Sequence, residues 1–310
     1  MTEGHVFADR QLPVGNEVFL DHVGYFTADL GVAGAQLERL GFVVSPINLQ
    51  QNADADGRLK PSGTSNRLAV LRRGFLEVLA ATHDTPLGDQ LKAALARYAG
   101  LHLIALSHAD IPAERERLIG VGFAMQEVVD LRRHKETPEG VREVRWSVLR
   151  PQPGAMPEGR VQFAYCHTPE LTWSEAAPPL ANGADALTDI LLIVRDRYEA
   201  AARFGRFAGR APRHETHFSI VPLDRGRIVF AESNFISAIS NFTLPNVPCM
   251  CGQALRCTDL GLIRNVLAKA ALRPLVDNDH VVCVGAGDAL GSLLVFHAAS
   301  VESPWAALVA

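Results

Sequence analysis

The hydrophobic and polar positions of the chain follow a pattern that recurs four times. Each copy begins with a short apolar run, reaches an Asp near its end and continues for about a dozen residues with helical periodicity. Because Asp is a favoured helix N-cap and suits the positive end of the helix dipole, each junction predicts a strand followed by a helix. The residues at the four junctions are Asp29, Asp110, Asp196 and Asp259.

Extended runs bounded by turn residues follow each predicted helix. Their length, their apolar content and the Gly and Pro residues between them favour antiparallel strands. Each copy therefore predicts a β-α-β-β-β unit. The runs cover residues 66–72 and 75–81, 143–149 and 160–165, 217–223 and 228–232, and 280–285 and 293–297.

A single unit of this kind leaves a half-covered sheet with exposed edges, which would associate with any free strand. Pairing the units removes those edges. The Pro- and Ala-rich stretch 175–184 separates the first two units from the last two. The sequence therefore predicts an α+β protein with four β-α-β-β-β units paired into two open-cup mixed sheets, in domains at residues 17–172 and 186–299.

Composition and charge exclude several classes of protein. A chain of 310 residues with 48% hydrophobic and 21% charged residues is globular rather than disordered or coiled-coil. The net charge of −4 provides no basic footprint, so we expect no nucleic-acid partner. The first twenty residues carry charges and no long apolar run, which predicts neither a signal peptide nor a membrane span and favours the cytoplasm. The five cysteines lack the paired spacing of a zinc site, so we expect buried or inert thiols.

Three stretches of the N-terminal half carry a family resemblance. They read FLDHVGYFTADL at 19–30, GTSNRLAVLRRGFLEVLA at 63–80 and CHTPELTW at 166–173. These stretches resemble the vicinal oxygen chelate superfamily, the fold of glyoxalase I, extradiol dioxygenases and some antibiotic-resistance proteins, and more narrowly the glyoxalase-like domain family. The resemblance implies paired units that curl around a cup and hold a divalent metal with ligands from the first and last strands of each unit. For the C-terminal half, only the fourfold periodicity supports it.

Two residues of the first unit match the ligand types of that family. His22 lies on the first strand, seven positions before Asp29, and Glu77 lies on the last strand. The resemblance implies that both are metal ligands and that Glu77 also acts in catalysis. An imidazole and a carboxylate suit Fe, Mn, Ni or Zn, and a small number of protein ligands leaves coordination positions open for substrate oxygens.

The second unit departs from this pattern. The corresponding positions hold Leu103 and Gln162. His102 is one residue away from the expected position, so it points to the opposite strand face unless a β-bulge turns it inward. Gln162 can contact substrate or ligate a hard cation weakly through its carbonyl oxygen. The metal site is therefore expected to be incomplete.

Four more polar residues are candidates for the site. His167 ends the last strand of the first domain and could act in catalysis over the rim of the cup, although His-Thr-Pro is also good turn chemistry. Asn66 and Arg67 follow a Gly-Thr turn and could bind substrate, or support the turn and face solvent. Along 141–149 the apolar residues are expected to lie under the helix, which would turn Arg145 toward the cup and favour an anionic substrate group.

The corresponding positions of the C-terminal half offer one possible ligand in four, which cannot hold a metal alone. We therefore expect this half to be a structural or dimerising partner, so that the chain could form a homodimer. The four residues are Asp189, Val229, Gly252 and Leu294.

Two functions stay open at this point. The first is a glyoxalase-like enzyme, of the lyase, isomerase or dioxygenase type, that acts on a small oxygen-bearing substrate with a divalent metal in the N-terminal cup. The alternative is a metal-free cup that binds a small apolar or anionic molecule. The retained His22 and Glu77 favour chemistry, whereas Leu103 and Gln162 favour binding.

Overall fold

The computed structural model describes residues 8–53, 58–173, 177–237, 239 and 242–309, which form two sheets of eight strands. The N-terminal strands are β1 (Phe19–Phe26), β2 (Asn48–Ala53), β3 (Leu59–Val70), β4 (Phe75–Ala81), β5 (Gly100–Ser107), β6 (Val129–Thr137), β7 (Gly140–Leu149) and β8 (Arg160–Cys166). The C-terminal strands are β9 (Ala184–Ile193), β10 (Arg213–His214), β11 (Ser219–Pro222), β12 (Arg227–Ala231), β13 (Cys249–Cys257), β14 (Val276–Asp277), β15 (Val281–Val284) and β16 (Leu293–Ala298). The helices are α1 (Leu30–Arg39), α2 (Pro86–Leu95), α3 (Ile111–Gly120), α4 (Arg197–Ala208), α5 (Ser233–Ser237) and α6 (Leu260–Lys269), with single 3₁₀ turns at Pro169–Leu171 and Ala306–Leu308.

The order of these elements confirms the predicted class. Each unit runs strand, helix and three strands: β1-α1-β2-β3-β4, β5-α3-β6-β7-β8, β9-α4-β10-β11-β12 and β13-α6-β14-β15-β16. Two helices, α2 and α5, lie between units and were not predicted. The start of α2 follows a local signal, because the Thr85 hydroxyl accepts a hydrogen bond from the Gly88 N–H and Pro86 opens the helix.

Each of the four Asp residues caps its helix as predicted. The Asp29 carboxylate accepts hydrogen bonds from two backbone N–H groups of the first turn of α1, at 2.7 and 3.0 Å. Asp110, Asp196 and Asp259 accept corresponding bonds from α3, α4 and α6. These bonds satisfy N–H groups that have no partner within the helix, so the same residue type serves at the same place in every unit.

The two sheets differ in closure. The N-terminal strands follow the order β1-β4-β3-β2-β6-β7-β8-β5, and the pairing of β1 with β5 completes a closed barrel. Its two units meet a second time through the backbones of Asn52 in β2 and Leu131 in β6. The C-terminal sheet stays open, in the order β10-β11-β12-β9-β13-β16-β15-β14. Its edge strands have two residues each, which limits edge-to-edge association.

The two halves share one apolar core. Aromatic rings from both halves stack, with ring centroids 5.2 Å apart for Phe163 and Phe207 and 6.2 Å apart for Phe42 and Phe296. Arg225 is fully buried and donates to three backbone carbonyls of the N-terminal half. Each of the predicted domains, 17–172 and 186–299, contains one of the two sheets. The division of the chain into two domains stays a prediction. Residues 175 and 176 of the expected linker lie outside the described residues.

The face of the C-terminal sheet opposite its helices is covered by its own chain. Side chains of α5 and of the C-terminal segment, including the fully buried Trp305, pack on β9, β12, β13 and β16 in one cluster. Gly252 corresponds to His22, and a Cβ there would lie 3.1 Å from the Trp305 ring. Asp189, at the other corresponding position, pairs with Arg227 at 2.7 Å. These contacts support a structural role for this half.

The five cysteines are all free and buried. Burial raises the pKa of Cys166, Cys249 and Cys283 to about 12, so these side chains remain thiols at neutral pH. The expectation of buried thiols is confirmed. None of the helices in the described part of the chain is long and apolar enough to cross a membrane.

His102 lies outside the barrel interior, on the strand face that was expected in the absence of a bulge. A register shift in the β1–β5 pairing falls at this residue, yet its ring does not line the barrel interior. The ring stacks on Tyr98 with centroids 3.9 Å apart, and Nε2 donates to the Tyr98 carbonyl at 2.7 Å. Burial lowers the pKa of His102 to about 4, and the nearby Arg97 and Arg160 add to this shift.

We predict that His102 makes stability fall in mild acid. Since its pKa is near 6.5 when unfolded and about 4 when folded, the unfolded chain binds more protons between those values. The free energy of unfolding should therefore drop as the pH falls through this window, by roughly 2–3 kcal/mol from His102 between pH 7 and pH 4.5. Urea unfolding of the wild type and of His102→Asn at both pH values measures this difference. His297, whose pKa burial also lowers, contributes to both proteins, so equal losses in the two would contradict the prediction.

Candidate active site

The N-terminal barrel encloses a cavity of about 290 Å³, near the lower end for small-molecule sites. Both units contribute to its wall, and α2 adds Pro86, Leu87 and Gln90. Apolar and aromatic side chains form much of the lining, among them Phe75 and Trp146. The polar groups lie in two sets, one on the first unit and one on the second.

His22 is oriented by its neighbour Asp21. A register shift in the β1–β5 pairing falls at Asp21, and this bulge turns its carboxylate beside the imidazole of the next residue. Nδ1 of His22 lies 2.7 Å from Oδ2 of the fully buried Asp21. The ring also stacks on Phe75, with centroids 4.2 Å apart. These contacts direct Nε2 toward the cavity.

Glu77 faces His22 from the neighbouring strand β4. Its Oε2 lies 3.7 Å from Nε2 of His22. Its Oε1 accepts hydrogen bonds from Nδ2 of Asn66 at 2.6 Å and from Nε2 of Gln50 at 3.2 Å. The amides therefore hold one carboxylate oxygen, and the other remains directed at the imidazole. The structure thus brings the predicted site residues His22, Glu77 and Asn66 together. Gln50 was not predicted, because the sequence of β2 lacks an apolar strand pattern.

Four arginines of the second unit line the cavity, and we call the three partly buried ones, Arg133, Arg150 and Arg160, the arginine wall. The fourth, Arg132, is exposed and lies 3.8 Å from Glu143. Nε of Arg150 donates to Oε1 of Gln162 at 2.9 Å, so Gln162 also lies in the site. Burial lowers the pKa of all three, that of Arg160 to about 9 with a contribution from Arg150, and Glu77 opposes the shift. Guanidinium groups are strong enough bases to remain protonated at neutral pH despite this lowering.

The arginine wall was missed because single arginines are usually solvated on a protein surface. A signal was present in the alternation of the strands. Arg150 continues the inward series of Val144, Trp146 and Val148, and Arg160 lies two residues before Gln162 on β8.

Arg67 was assigned to substrate binding, and the structure corrects this. Its side chain lies on the outer face of β3, where Nε donates to the Ser45 carbonyl at 2.8 Å and the guanidinium pairs with Glu38 of α1 at 3.0 Å. Neighbouring strand residues point to opposite faces, so placing Asn66 in the cavity places Arg67 outside it.

The assignments of Arg145 and His167 are also corrected. Arg145 is exposed on the outer face of β7, because the enclosed barrel interior takes the apolar alternate residues that were expected under the helix. His167 is exposed beyond the end of β8, where its Nε2 lies 2.8 Å from the Ser147 hydroxyl. Neither side chain lines the cavity, so neither can contact a molecule bound there.

The model of a protein family described as "Glyoxalase-like domain" matches residues 20–207, more than half of the chain. The chain belongs to the glyoxalase-like domain family. The match covers both units of the barrel and continues through β9 and α4 of the C-terminal half. A search of curated proteins gives no match for this glyoxalase-like chain.

Solved structures share its fold. A hypothetical protein from Staphylococcus aureus is similar over 91% of this chain and 99% of its own, with a TM-score of 0.63 and 10% identity. A triple mutant of 4-hydroxymandelate synthase from Streptomyces coelicolor is similar over 95% and 96%, with a TM-score of 0.57 and 12% identity. A Mn(II)-bound glyoxalase from Novosphingobium aromaticivorans is similar over 91% and 82%, with a TM-score of 0.54 and 10% identity. The vicinal oxygen chelate fold predicted from the sequence is confirmed.

The side chains in the cavity of this glyoxalase-like barrel provide too few ligands for a tightly bound metal ion. Two ligands of one metal ion lie roughly 3.0–3.4 Å apart when bonds are about 2.1 Å, so the His22–Glu77 pair at 3.7 Å is close to that spacing. The second unit adds apolar Leu103 and Gln162, whose Oε1 is engaged by Arg150. No group of three or more His, Cys, Asp and Glu side chains in the described ranges could hold a metal ion. Since metal sites usually need three or four protein ligands, the residues do not fit a resident divalent metal.

Proposed function

We propose that this glyoxalase-like chain is an enzyme that transfers a proton on a small oxygen-bearing substrate in the N-terminal cavity, in a reaction of the isomerase or lyase type. The observation that supports the proposal is the row of Asp21, His22 and Glu77, in which His22 and Glu77 line the cavity and Asp21 is buried behind His22. Two of its structural neighbours, a glyoxalase and 4-hydroxymandelate synthase, are enzymes, which favours chemistry in this fold.

The row suits His22 to accept a proton. When Nδ1 donates to Asp21, the neutral ring presents a lone pair at Nε2. A proton removed from a carbon next to a substrate carbonyl passes to Nε2. The imidazolium then lies between the carboxylates of Asp21 and Glu77, which stabilise its positive charge. Return of the proton to a neighbouring substrate atom completes an isomerisation. In an elimination, a leaving group departs with its bonding electrons from the carbon next to the carbanion, and the proton on Nε2 passes to that group or to water.

Hydrogen–deuterium exchange tests this chemistry with two related probes. The first is 2-oxo-4-phenylbutanoate and the second is 4-phenylbutan-2-one, its neutral analogue with a methyl group in place of the carboxylate. Both carry exchangeable C–H groups next to a carbonyl and a phenyl ring suited to the apolar lining. We expect the wild-type protein in D₂O to speed the loss of these proton signals in NMR spectra. Rates equal to those of protein-free solution for both probes would contradict the proposal.

The second candidate is a binding protein without chemistry. It is favoured by Leu103 and Gln162, which stand where the resemblance implies further ligands. It predicts that one of the two probes binds in calorimetry while no exchange is catalysed.

We predict that protein purified without chelator contains much less than one equivalent of Fe, Mn, Ni or Zn. The cavity offers a metal ion two adjacent donors and also holds the positively charged arginine wall. The Kd of Mn²⁺ or Zn²⁺ should therefore lie above one micromolar, which corresponds to a binding free energy of about −8 kcal/mol. Elemental analysis and metal titration measure both quantities. One equivalent of metal that is lost in His22→Ala and kept in the exposed control His167→Ala would show instead that His22 is a ligand and the enzyme metal-dependent.

A further inference from the structure

Arg160 of the arginine wall and Glu77 of the acid–base pair occupy opposite ends of one row across the barrel. Strands β4, β1, β5 and β8 lie side by side, and backbone pairing joins Glu77 to Gly24, Gly24 to Leu103 and Leu103 to Arg160. Adjacent strands are about 4.8 Å apart, so three steps along the curved sheet separate the two ends by roughly 14 Å. Glu77 and Arg160 both line the cavity, so a molecule within it lies between them.

Arg150 and Arg160 of the arginine wall form no ion pair within the described residues, although Glu77 of the same cavity opposes the lowering of their pKa values. The side chain of Arg160 has no hydrogen bond or ion pair there, and its guanidinium lies 5.3 Å from the centroid of the Phe26 ring. Arg150 uses Nε on Gln162 and makes no ion pair in the same part of the chain. The proximity of Arg150 contributes to the lowered pKa of Arg160. Neighbouring cations away from bulk water are costly without an anion, so this arrangement suits a ligand that brings one.

We propose that Arg150 and Arg160 bind the carboxylate of the substrate, so that the enzyme acts on small carboxylic acids whose reacting carbon lies toward His22. This inference rests on the proposed function and specifies its substrate class. Guanidinium groups match carboxylates with parallel N–H···O bonds, and the bound anion relieves the repulsion between the two cations. The aromatic side chains of Phe75 and Trp146 line the same cavity and suit an apolar or aryl group on the acid.

Calorimetric titration with the two probes tests the subsite. We expect the wild type to bind 2-oxo-4-phenylbutanoate at least tenfold more tightly than 4-phenylbutan-2-one. Arg150→Gln and Arg160→Gln should weaken binding of the acid by about 10- to 100-fold and leave that of the ketone unchanged. Arg145→Gln, on the outer face, should change neither. Equal affinity for acid and ketone, no binding of either, or the same loss in Arg145→Gln would overturn the proposal.

Thermal unfolding separates a binding role for Arg160 from a structural one. Because Arg160→Gln removes a half-buried cation without a counter-ion, its Tm should equal or exceed that of the wild type. Arg160→Lys keeps the charge and should retain part of the preference for the acid. A clear fall in Tm for both variants, with the acid preference lost in both, would assign Arg160 a structural role and overturn the proposal.

Failure of this inference and failure of the proposed function give different results. Calorimetry measures binding without turnover, so acid preference in a protein that catalyses no exchange would support the subsite and contradict proton transfer. Equal binding of acid and ketone, with catalysed exchange of both, would support proton transfer and contradict the subsite.

Discussion

Replacing His22 with Asn is expected to slow exchange of the probe protons at least about 100-fold, because general bases commonly contribute 10²- to 10⁴-fold. The substitution removes Nε2, the atom that accepts the proton, and leaves the arginine wall intact. Probe binding in calorimetry should therefore change little. NMR-monitored exchange and calorimetry on the same protein measure the two effects.

Two further variants test the roles of the neighbouring carboxylates. In Asp21→Asn the side-chain amide can donate to Nδ1, which favours the tautomer with a proton on Nε2 and removes the lone pair from the cavity. The pH dependence of exchange should therefore change along with its rate. Glu77→Gln removes one of the two carboxylates beside the imidazolium and should slow exchange less than His22→Asn does. His167→Asn, outside the cavity, is the matched control for His22→Asn. Exchange at the wild-type rate in His22→Asn would show that His22 is not the base.

Replacing Trp305 with Ala is expected to lower the free energy of unfolding by about 3–5 kcal/mol, as for other buried Trp residues. Trp305 is fully buried on the face of the C-terminal sheet, where Gly252 leaves room for its ring. Truncation removes many apolar contacts and leaves a void that the surrounding strands cannot fill. Urea unfolding measures the loss.

Trp305→Phe is the control for this prediction. The indole Nε1 has no hydrogen-bond partner among the described residues, so Phe loses ring volume but no hydrogen bond. Its cost should be less than half that of Trp305→Ala. A cost below about 0.5 kcal/mol for Trp305→Ala, typical of a surface position, would show that the segment does not support the sheet.

The fold could be predicted from the sequence to a large extent because its signals are local and repeated. An Asp at a helix start satisfies N–H groups two or three residues away, and this requirement holds wherever the strand lies in the sheet. Helix α2 lay outside the repeated pattern, and its Thr-Pro start was too short a signal to stand alone.

The candidate site could be predicted only in part. His22 and Glu77 were located by the family resemblance, on the first and last strands of the first unit, and the structure places Nε2 of His22 3.7 Å from Oε2 of Glu77. Asp21 was missed although it adjoins His22, because regular alternation would point it away and only the bulge turns it back. The prediction for Arg145 was wrong because the inner face of its strand was inferred without knowing what the barrel encloses. His167, predicted to turn over the rim, lies exposed beyond the end of β8 and outside the cavity.

The sequence by itself determined the four units, their capped helices and the weak ligand set of the second unit, since each depends on residues close together in the chain. Only the tertiary structure decided which strand face became the cavity wall. Alternation divides a strand into two sets of side chains but does not say which set is enclosed. Closure of the barrel turned the apolar set of β7 inward, together with Arg150 at its end, and placed Arg145 in solvent.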